Sequence, residues 1–539
     1  MKLAEIKIYR ELFAKRTAER ATGGLKGWAR KRSAGLLVRA VVALFAVFAA
    51  GQAFGFDLST YAEKSKLSSG KWVKVSVSST GMYQIPEATL RNWGLEPSKT
   101  KVYGYGARRV PDYMQLSTFA DDVPQTPSEY VSGRGVYFYA EGPVTWSSRL
   151  TGYYQPVQNP FTLVGYYFLS DSDPEERLAP GTSGSEAEAG DATVFLDRLY
   201  HELERVSPGE NGFLLVGEDF RLTPQQSFEF QLTDAVDGGV GRIQTSFVSK
   251  IVSGEGRVSH SINGTELSFS SADRIAANTD VHSAGLESLS RKTFEVKGSK
   301  LTVGIRFTPT GSVSSANLNY IGISYERKLK LPQSKRLQFW YDRMKVTMEG
   351  ATEGMRLWDV TDPMAITAVS ARIADGKASW QSSYGNTMRS YVAWDPKGTF
   401  PTPTLESNVS AQNLHGLKTP DMVIFTPAEW KNQAERLAQV HRDDEIDPLE
   451  VLVLTPQQIY NEFSSGSPDV QAFRKLMKML YDRGNAGQGK KLRYAIFMGR
   501  PTYEPRLLTA DVQALKYPML PSWFSDSGLN ENTAFTSDD

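Results

Sequence analysis

MVIFTPAEW (422–430), VLVLTP (451–456) and YAIFM (494–498) each contain a short, wholly apolar run followed by residues that favour a turn or a helix start. A strand with one wet face alternates polar with apolar residues. A continuous run such as Met422-Val423-Ile424-Phe425 therefore predicts a strand covered on both faces. Pro427-Ala428-Glu429-Trp430 opens a predicted helix that runs through His441, and Thr455 with Pro456 supplies a cap and a first-turn proline after Leu454. Before the third run, residues 470–482 set Phe473, Leu476, Met477 and Leu480 on one helical face. Two-sided strands alternating with amphipathic helices indicate a parallel α/β sheet within 412–539. Ligands of such sheets sit beyond the carboxyl ends of the strands, so the loops after Phe425, Leu454 and Met498 are expected to border a site. Three strands with their crossovers make only half of a doubly wound domain, and the expected sheet is incomplete.

Everything between residues 56 and 411 reads as β structure. Residues 56–170 form a first module: Lys71-Trp72-Val73-Lys74-Val75-Ser76-Val77 alternates as a half-wet strand does, and Thr80-Gly81 gives the turn before residues 82–85. Short aromatic strands follow at 102–106 and 135–140, and their tyrosine hydroxyls are expected to line a surface groove. Residues 171–191 are acidic, Gly/Ser-rich and poor in large apolar groups, which reads as a loop or linker. A sandwich-like module is expected over 192–330, with a hairpin turning at Asn263-Gly264, a dipeptide that readily takes positive φ. A β-rich connecting module covers 331–411 and ends in the Pro-rich seam 399–403.

The N-terminus carries an export signature. Lys26, Arg30, Lys31, Arg32 and Arg39 lead into the apolar run 40–50, and small residues follow. Residues 1–55 thus read as a secretory signal peptide with a long basic lead, cleaved near Ala53 or Gly55. The apolar run is short for a span of about 20 residues.

Composition narrows the chemistry. Across 539 residues, 61 Lys and Arg stand against 60 Asp and Glu, so no broad positive field exists to attract nucleic acid. The absence of cysteine excludes disulfides, thiolate zinc sites and iron–sulfur clusters, and this chain on its own cannot act through a cysteine nucleophile. Asp171, Asp173 and Glu175 are spaced like calcium ligands but lack the glycine and the distal glutamate of an EF-hand, and they read as a solvated loop. His260 is expected on the surface of a strand. Asn263-Gly264-Thr265 is a glycosylation sequon by letter, although the hairpin already accounts for it.

Several longer stretches together resemble a known family. SSGKWVKVSVSSTGMYQI (68–85), GVYFYAEGPVTW (135–146), NPFTLVGYYFL (159–169), MRLWDVTDP (355–363), QNLHGLKTPDMVIFTP (412–427), EFSSGSPDVQAFRKLMKMLYDRG (462–484) and SGLNENTAFTSDD (527–539) are similar, in this order, to the gingipain-related signal peptidases and sortases of type IX secretion. The resemblance implies β-rich, sandwich-like modules followed by the first part of a caspase-like α/β peptidase domain over 412–539. It also implies a cysteine endopeptidase that removes the C-terminal targeting domain of secreted cargo and passes the acyl-enzyme to water or to a lipopolysaccharide amine. The implied partners are the cargo, an outer-membrane barrel tether and the lipopolysaccharide acceptor, at the outer membrane or cell surface of a Gram-negative bacterium.

The family's catalytic cysteine and Gly-His-Gly histidine are expected downstream of the matched segments, so no catalytic residue is assigned here and the chain alone is expected to be inactive. His415, in QNLHG, and His441, at a helix end where a cation is favoured, lack the motif context. Rim candidates are Gly499, Tyr503, Asp538 and Asp539. Where the family has an acidic loop after the third strand, this chain reads Gly499-Arg500-Pro501-Thr502-Tyr503-Glu504, with the charge reversed at Arg500. No cofactor or metal is expected, with calcium left open. The alternative function is a non-catalytic β-rich docking protein or a degenerate peptidase homologue.

Overall fold

The computed structural model describes residues 58–112, 114, 120–190, 192–208, 212, 214–278, 285–515 and 519–522. The signal-peptide reading with Ala53 and Gly55, and the rim candidates Asp538 and Asp539, lie outside the described residues. Among the described residues no helix is long and apolar enough to cross a membrane.

The first module packs a sheet containing Trp72–Val77, Gly165–Ser170 and Lys101–Gly106 against a smaller one containing Gly81–Pro86 and Gly135–Ala140. Val73, Val75, Val77, Ile85, Phe138 and Leu169 meet between them. The strand Trp72–Val77 has no wet face: all six residues are buried, including Lys74 and Ser76. The expected outer face is covered by the α/β domain, where Lys74 Nζ donates to the Gly466 carbonyl at 2.7 Å and lies 4.0 Å from the Tyr166 ring centre. The loop around Ser465 lies so close to this sheet that a Cβ at Gly104 would fall 2.2 Å from Ser465 Oγ. Glycine is therefore required there for close approach, in addition to its φ of 108°.

Most of the tyrosines of these strands are packed away from any groove, and only Tyr139 reaches the wall of a cavity between the β modules. Tyr103, Tyr105, Tyr137 and Tyr139 are buried. Tyr103 donates to Asp173 at 2.8 Å and Tyr137 to the Pro396 carbonyl at 3.1 Å, while Tyr139 accepts from Gln338 at 2.7 Å. A buried phenol needs such partners, and neighbouring modules supply them.

The sandwich is formed as expected. One sheet orders Val194–Glu202, Val313–Lys328, Val240–Ile251 and Leu286–Glu295, and the other contains Gln225–Gln231, Lys300–Pro309 and Glu255–Ile262. Phe247 stacks on Phe307 at 5.2 Å between them. Asn263 and Gly264 take φ of 49° and 83°, which joins Ile262 to Thr265 in a two-residue hairpin.

The stretch 171–191, expected as a loop or linker, carries two short strands. Gly181–Ser183 runs parallel to Thr367–Val369, and Ser185–Glu186 pairs with Lys377–Gln381. Both join the two sheets of residues 336–394, whose core holds Phe339, Trp380 and Tyr391. The strand Thr404–Val409 then returns to pair with Trp72–Val77 of the first module.

The α/β sheet has the order Val451–Leu454, Met422–Phe425, Tyr494–Phe497, all parallel. Helices Lys431–Arg442, Pro456–Phe463 and Gln471–Asn485 flank it. Thr455 and Gln458 form a reciprocal capping box with Pro456 at the first position. The central strand is buried at all four residues, as its apolar run predicts. The third is not: Tyr494 is 47% and Phe497 56% exposed, because this strand is at the sheet edge among the described residues.

Candidate functional site

The carboxyl ends of the three strands are held level by the backbone. Thr426 N–H donates to the Leu454 carbonyl at 3.0 Å and Met498 N–H to the Phe425 carbonyl at 2.8 Å. Gly499 follows, wedged so that a Cβ would meet Leu520 Cγ at 2.7 Å and Pro427 Cδ at 3.3 Å. It thus lets the loops after the first and third strands pack together. Arg500–Pro501 pairs with Met519–Leu520. The Tyr503 hydroxyl donates to Asp511 Oδ2 at 2.5 Å, so this rim candidate is tied to the turn at 510–513.

The same loop anchors the domain to the sandwich. Glu504 is fully buried and accepts from the Arg506 backbone at 2.9 Å, and Arg506 makes a two-pronged pair with Glu204 at 2.7 and 2.9 Å. Arg500 reverses the expected charge near the start of this loop, whereas Glu504 and Glu204 place carboxylates around Arg506 further along.

Sequence reasoning missed a buried charge cluster on the other side of the domain. His415 is wholly buried, with Nδ1 2.7 Å from Glu462 Oε2, Nε2 3.3 Å from Asp121 Oδ2, and its ring stacked on Phe463 at 4.5 Å. Asp122 Oδ1 lies 4.0 Å from Nδ1. Burial by itself would lower the imidazole pKa, but the Asp121 and Glu462 carboxylates outweigh it and push it up to about 9. His415 is therefore a cation at neutral pH. Lys475 reaches the Phe463 carbonyl at 2.8 Å, Arg483 reaches Ala62 at 2.9 Å, and Asp122 accepts from Lys66 N–H at 2.6 Å. These contacts join the segment after residue 58, the loop at 120–123 and two helices of the α/β domain.

Asp122, His415 and Glu462 are close enough to suggest a metal site. The atoms that face one another are already engaged: His415 Nδ1 meets Glu462, and both Asp122 oxygens accept hydrogen bonds, from Ser65 and from Lys66 N–H. Glu462 accepts from the backbone of Leu414 and His415 and from Gln412, and Lys475 adds a competing ammonium. The group fits a salt-bridge lock and does not fit a cation.

The proposed calcium spacing is also committed elsewhere. Asp171 accepts from Glu96 N–H at 2.8 Å, Asp173 from Tyr103 and from Glu175 N–H at 2.9 Å, and Glu175 pairs with Lys66. His260 lies inside the sandwich, against expectation. Its Nε2 is 2.7 Å from Thr245 Oγ1 and its Nδ1 3.8 Å from Asp273, which the strand pairing brings close although it is distant in sequence. His441 sits in the last turn of Lys431–Arg442, where the helix end favours a cation.

No thiol exists in the chain, and His415 is held in a lock away from solvent, so neither half of a thiol–imidazole pair stands at the sheet edge among the described residues. What the carboxyl ends of the strands provide is a levelled set of loops on a three-stranded parallel sheet.

Residues 415–539 match the family model of Peptidase family C25. A crystal structure of dimeric latent PorU from Porphyromonas gingivalis aligns with 86% of this chain at a TM-score of 0.75 and 25% identity. The chain has the fold of PorU. It spans about 45% of that PorU chain. A β-porphyranase of glycoside hydrolase family 86 from Bacteroides plebeius aligns with 48% of this chain and 35% of its own at 10% identity, but its TM-score of 0.17 carries no argument. No curated protein sequence matches the chain. The β-rich modules and the α/β domain therefore follow the PorU plan, with a cysteine-peptidase-like fold at the C-terminal end.

Proposed function

We propose that this chain forms the β modules and the first strands of the peptidase domain of a type IX secretion peptidase and sortase. The observation that carries the proposal is the coincidence of the Peptidase family C25 match with the parallel sheet, on a chain that follows PorU through its β modules. In this reading a cysteine thiolate attacks the scissile carbonyl between cargo and its C-terminal targeting domain, and a histidine protonates the leaving amine. Water, or an amine of lipopolysaccharide, then resolves the thioester. The protein is exported and works at the cell surface, held by an outer-membrane barrel. The thiolate and its histidine are expected downstream of the 539 residues, because the chain has no cysteine and its buried His415 cannot reach substrate.

Reading the gene beyond codon 539 tests this directly. In-frame Gly-His-Gly and cysteine codons are expected, and the longer product should release the targeting domain of a cargo protein while residues 1–539 alone do not. A stop codon at that point without either motif would sink the proposal, as would turnover by the 539-residue chain.

A further inference from the structure

Six residues other than glycine hold a left-handed φ among the described residues: Asp234, Asn263, Lys335, Asp375, Ser465 and Leu507. Asn and Asp tolerate that conformation, and Leu507, at φ 59°, is the one apolar side chain of the six. It closes a turn: Pro505 and Arg506 occupy the corner, and the Leu507 N–H donates to the Glu504 carbonyl at 3.4 Å. The last residue of such a turn is commonly glycine, which takes a positive φ without steric cost. A leucine there is strained, so its surroundings must hold it.

The brace is a buried carboxylate. Glu504 Oε1 accepts from the Arg506 N–H at 2.9 Å and from Arg506 Nε at 3.3 Å, and Oε2 accepts from the Leu508 N–H. The backbone is thus gripped on both sides of Leu507. Arg506, whose side chain is 1% exposed, carries the turn onto Glu204 of the sandwich. Leu507 itself is left 45% exposed. Exposure alone would mean little, since Leu222 and Ile446 are 82% and 95% exposed, but neither of those has a left-handed φ. The place differs as well. The loop carrying Leu507 leaves the carboxyl end of the third strand, where Gly499 packs against Pro427 from the loop after the first. Ligands of open α/β sheets bind on this side, and strained residues held by over-determined surroundings cluster where ligands are gripped.

We propose that Leu507 is a specificity-determining residue that contacts substrate, packing on an apolar side chain of the extended cargo segment next to the bond that is cut. The proposal rests on the peptidase reading above. A branched aliphatic side chain offers neither charge nor hydrogen bond, so the group it recognises is apolar. Because the turn is already fixed, little ordering entropy is lost on contact, and the burial goes mostly into affinity.

The test uses the longer gene product and a cargo protein with its C-terminal targeting domain. Leu507→Asn puts a residue that accepts left-handed φ in place of the apolar contact. KM for release of the targeting domain should rise about fivefold with kcat within about twofold, the pattern of a lost binding contact. The melting temperature should stay the same or rise by about 1 °C, because the strain is relieved. Leu507→Met stays apolar and should keep KM within about twofold. When serine replaces the apolar residues that flank the cargo junction, wild type and Leu507→Asn should give equal KM. An unchanged KM in Leu507→Asn, with cargo turned over by the wild type, would overturn this inference and leave the peptidase reading standing. So would a lowered melting temperature, since the leucine would then be packing within the longer fold. No turnover by the wild type would remove the peptidase reading and this inference with it.

Discussion

Two regions of the molecule bury a histidine beside an aspartate and a lysine, and they treat it in opposite ways. In the sandwich, burial pushes His260 down to about 4, because its neighbour Asp273 is already neutralised by Lys292 at 2.6 Å and accepts from Ser270 and Ser290. At the seam between the first module and the α/β domain, His415 faces Asp121, Asp122 and Glu462, and it is pushed up to about 9. Burial is the same in kind at both places, and the difference lies in whether the carboxylates are already paired. A module core can satisfy its polar groups internally. A seam assembled from distant segments uses unpaired charge to set which surfaces meet.

The seam gives the largest expected effect. His415→Leu leaves three carboxylates around an apolar side chain, and we expect a loss of about 4 kcal/mol in denaturant unfolding, the range seen when one partner of a buried pair is removed. The native protein should also show a pH arm from this site. The folded pKa lies above the unfolded value of about 6.5, so the contribution is complete below pH 6.5 and is lost as pH rises to about 9. His260 runs the other way: its folded pKa is lowered, so its contribution is present above about 6.5 and is lost as pH falls towards 4. A His415→Leu chain that keeps the alkaline arm would contradict the assignment.

Lys292→Met inverts the sandwich case. Removing the ammonium leaves Asp273 buried without its partner, for an expected loss of about 3 kcal/mol. The same change should raise the His260 pKa from about 4 towards the ordinary imidazole value, since Asp273 then attracts the imidazolium unopposed. An NMR titration of the imidazole reads this directly, and an unmoved pKa would show that burial alone sets it.

The contrast also separates what the sequence could show from what it could not. Met422-Val423-Ile424-Phe425 and Asn263-Gly264 specify their structure through neighbours within a few residues, so the parallel strand and the hairpin are both readable. Trp72–Val77 has the same alternation as a half-wet strand, yet the face carrying Lys74 is covered by a loop from residue 466, which no local pattern announces. His415 fails for the same reason. Glu462 is 47 positions away and Asp121 lies far upstream, so QNLHG shows nothing of the lock. Gly499 and Tyr503 follow the third strand in the sequence, but the turn at 510–513 that holds Tyr503 is a tertiary fact.

The acidic stretch after residue 170 offers the smallest and most discriminating comparison. If it were a solvated loop, Asp173 and Glu175 would be equivalent surface carboxylates. The structure makes them unequal: Asp173 accepts from the buried Tyr103 at 2.8 Å, whereas Glu175 pairs with Lys66 where both side chains meet water. Tyr103→Phe should therefore cost about 1 kcal/mol, since it removes the one charge-assisted hydrogen bond to an oxygen of a largely covered carboxylate and leaves it only the longer ion pair with Lys66 at 3.8 Å. Glu175→Gln should cost less than about 0.5 kcal/mol, the usual worth of an exposed ion pair, and salt should erase even that. Equal effects in thermal unfolding would return the stretch to a loop; the expected inequality makes Asp173 a staple between the first module and the strands at Gly181–Ser183 and Ser185–Glu186 that follow it.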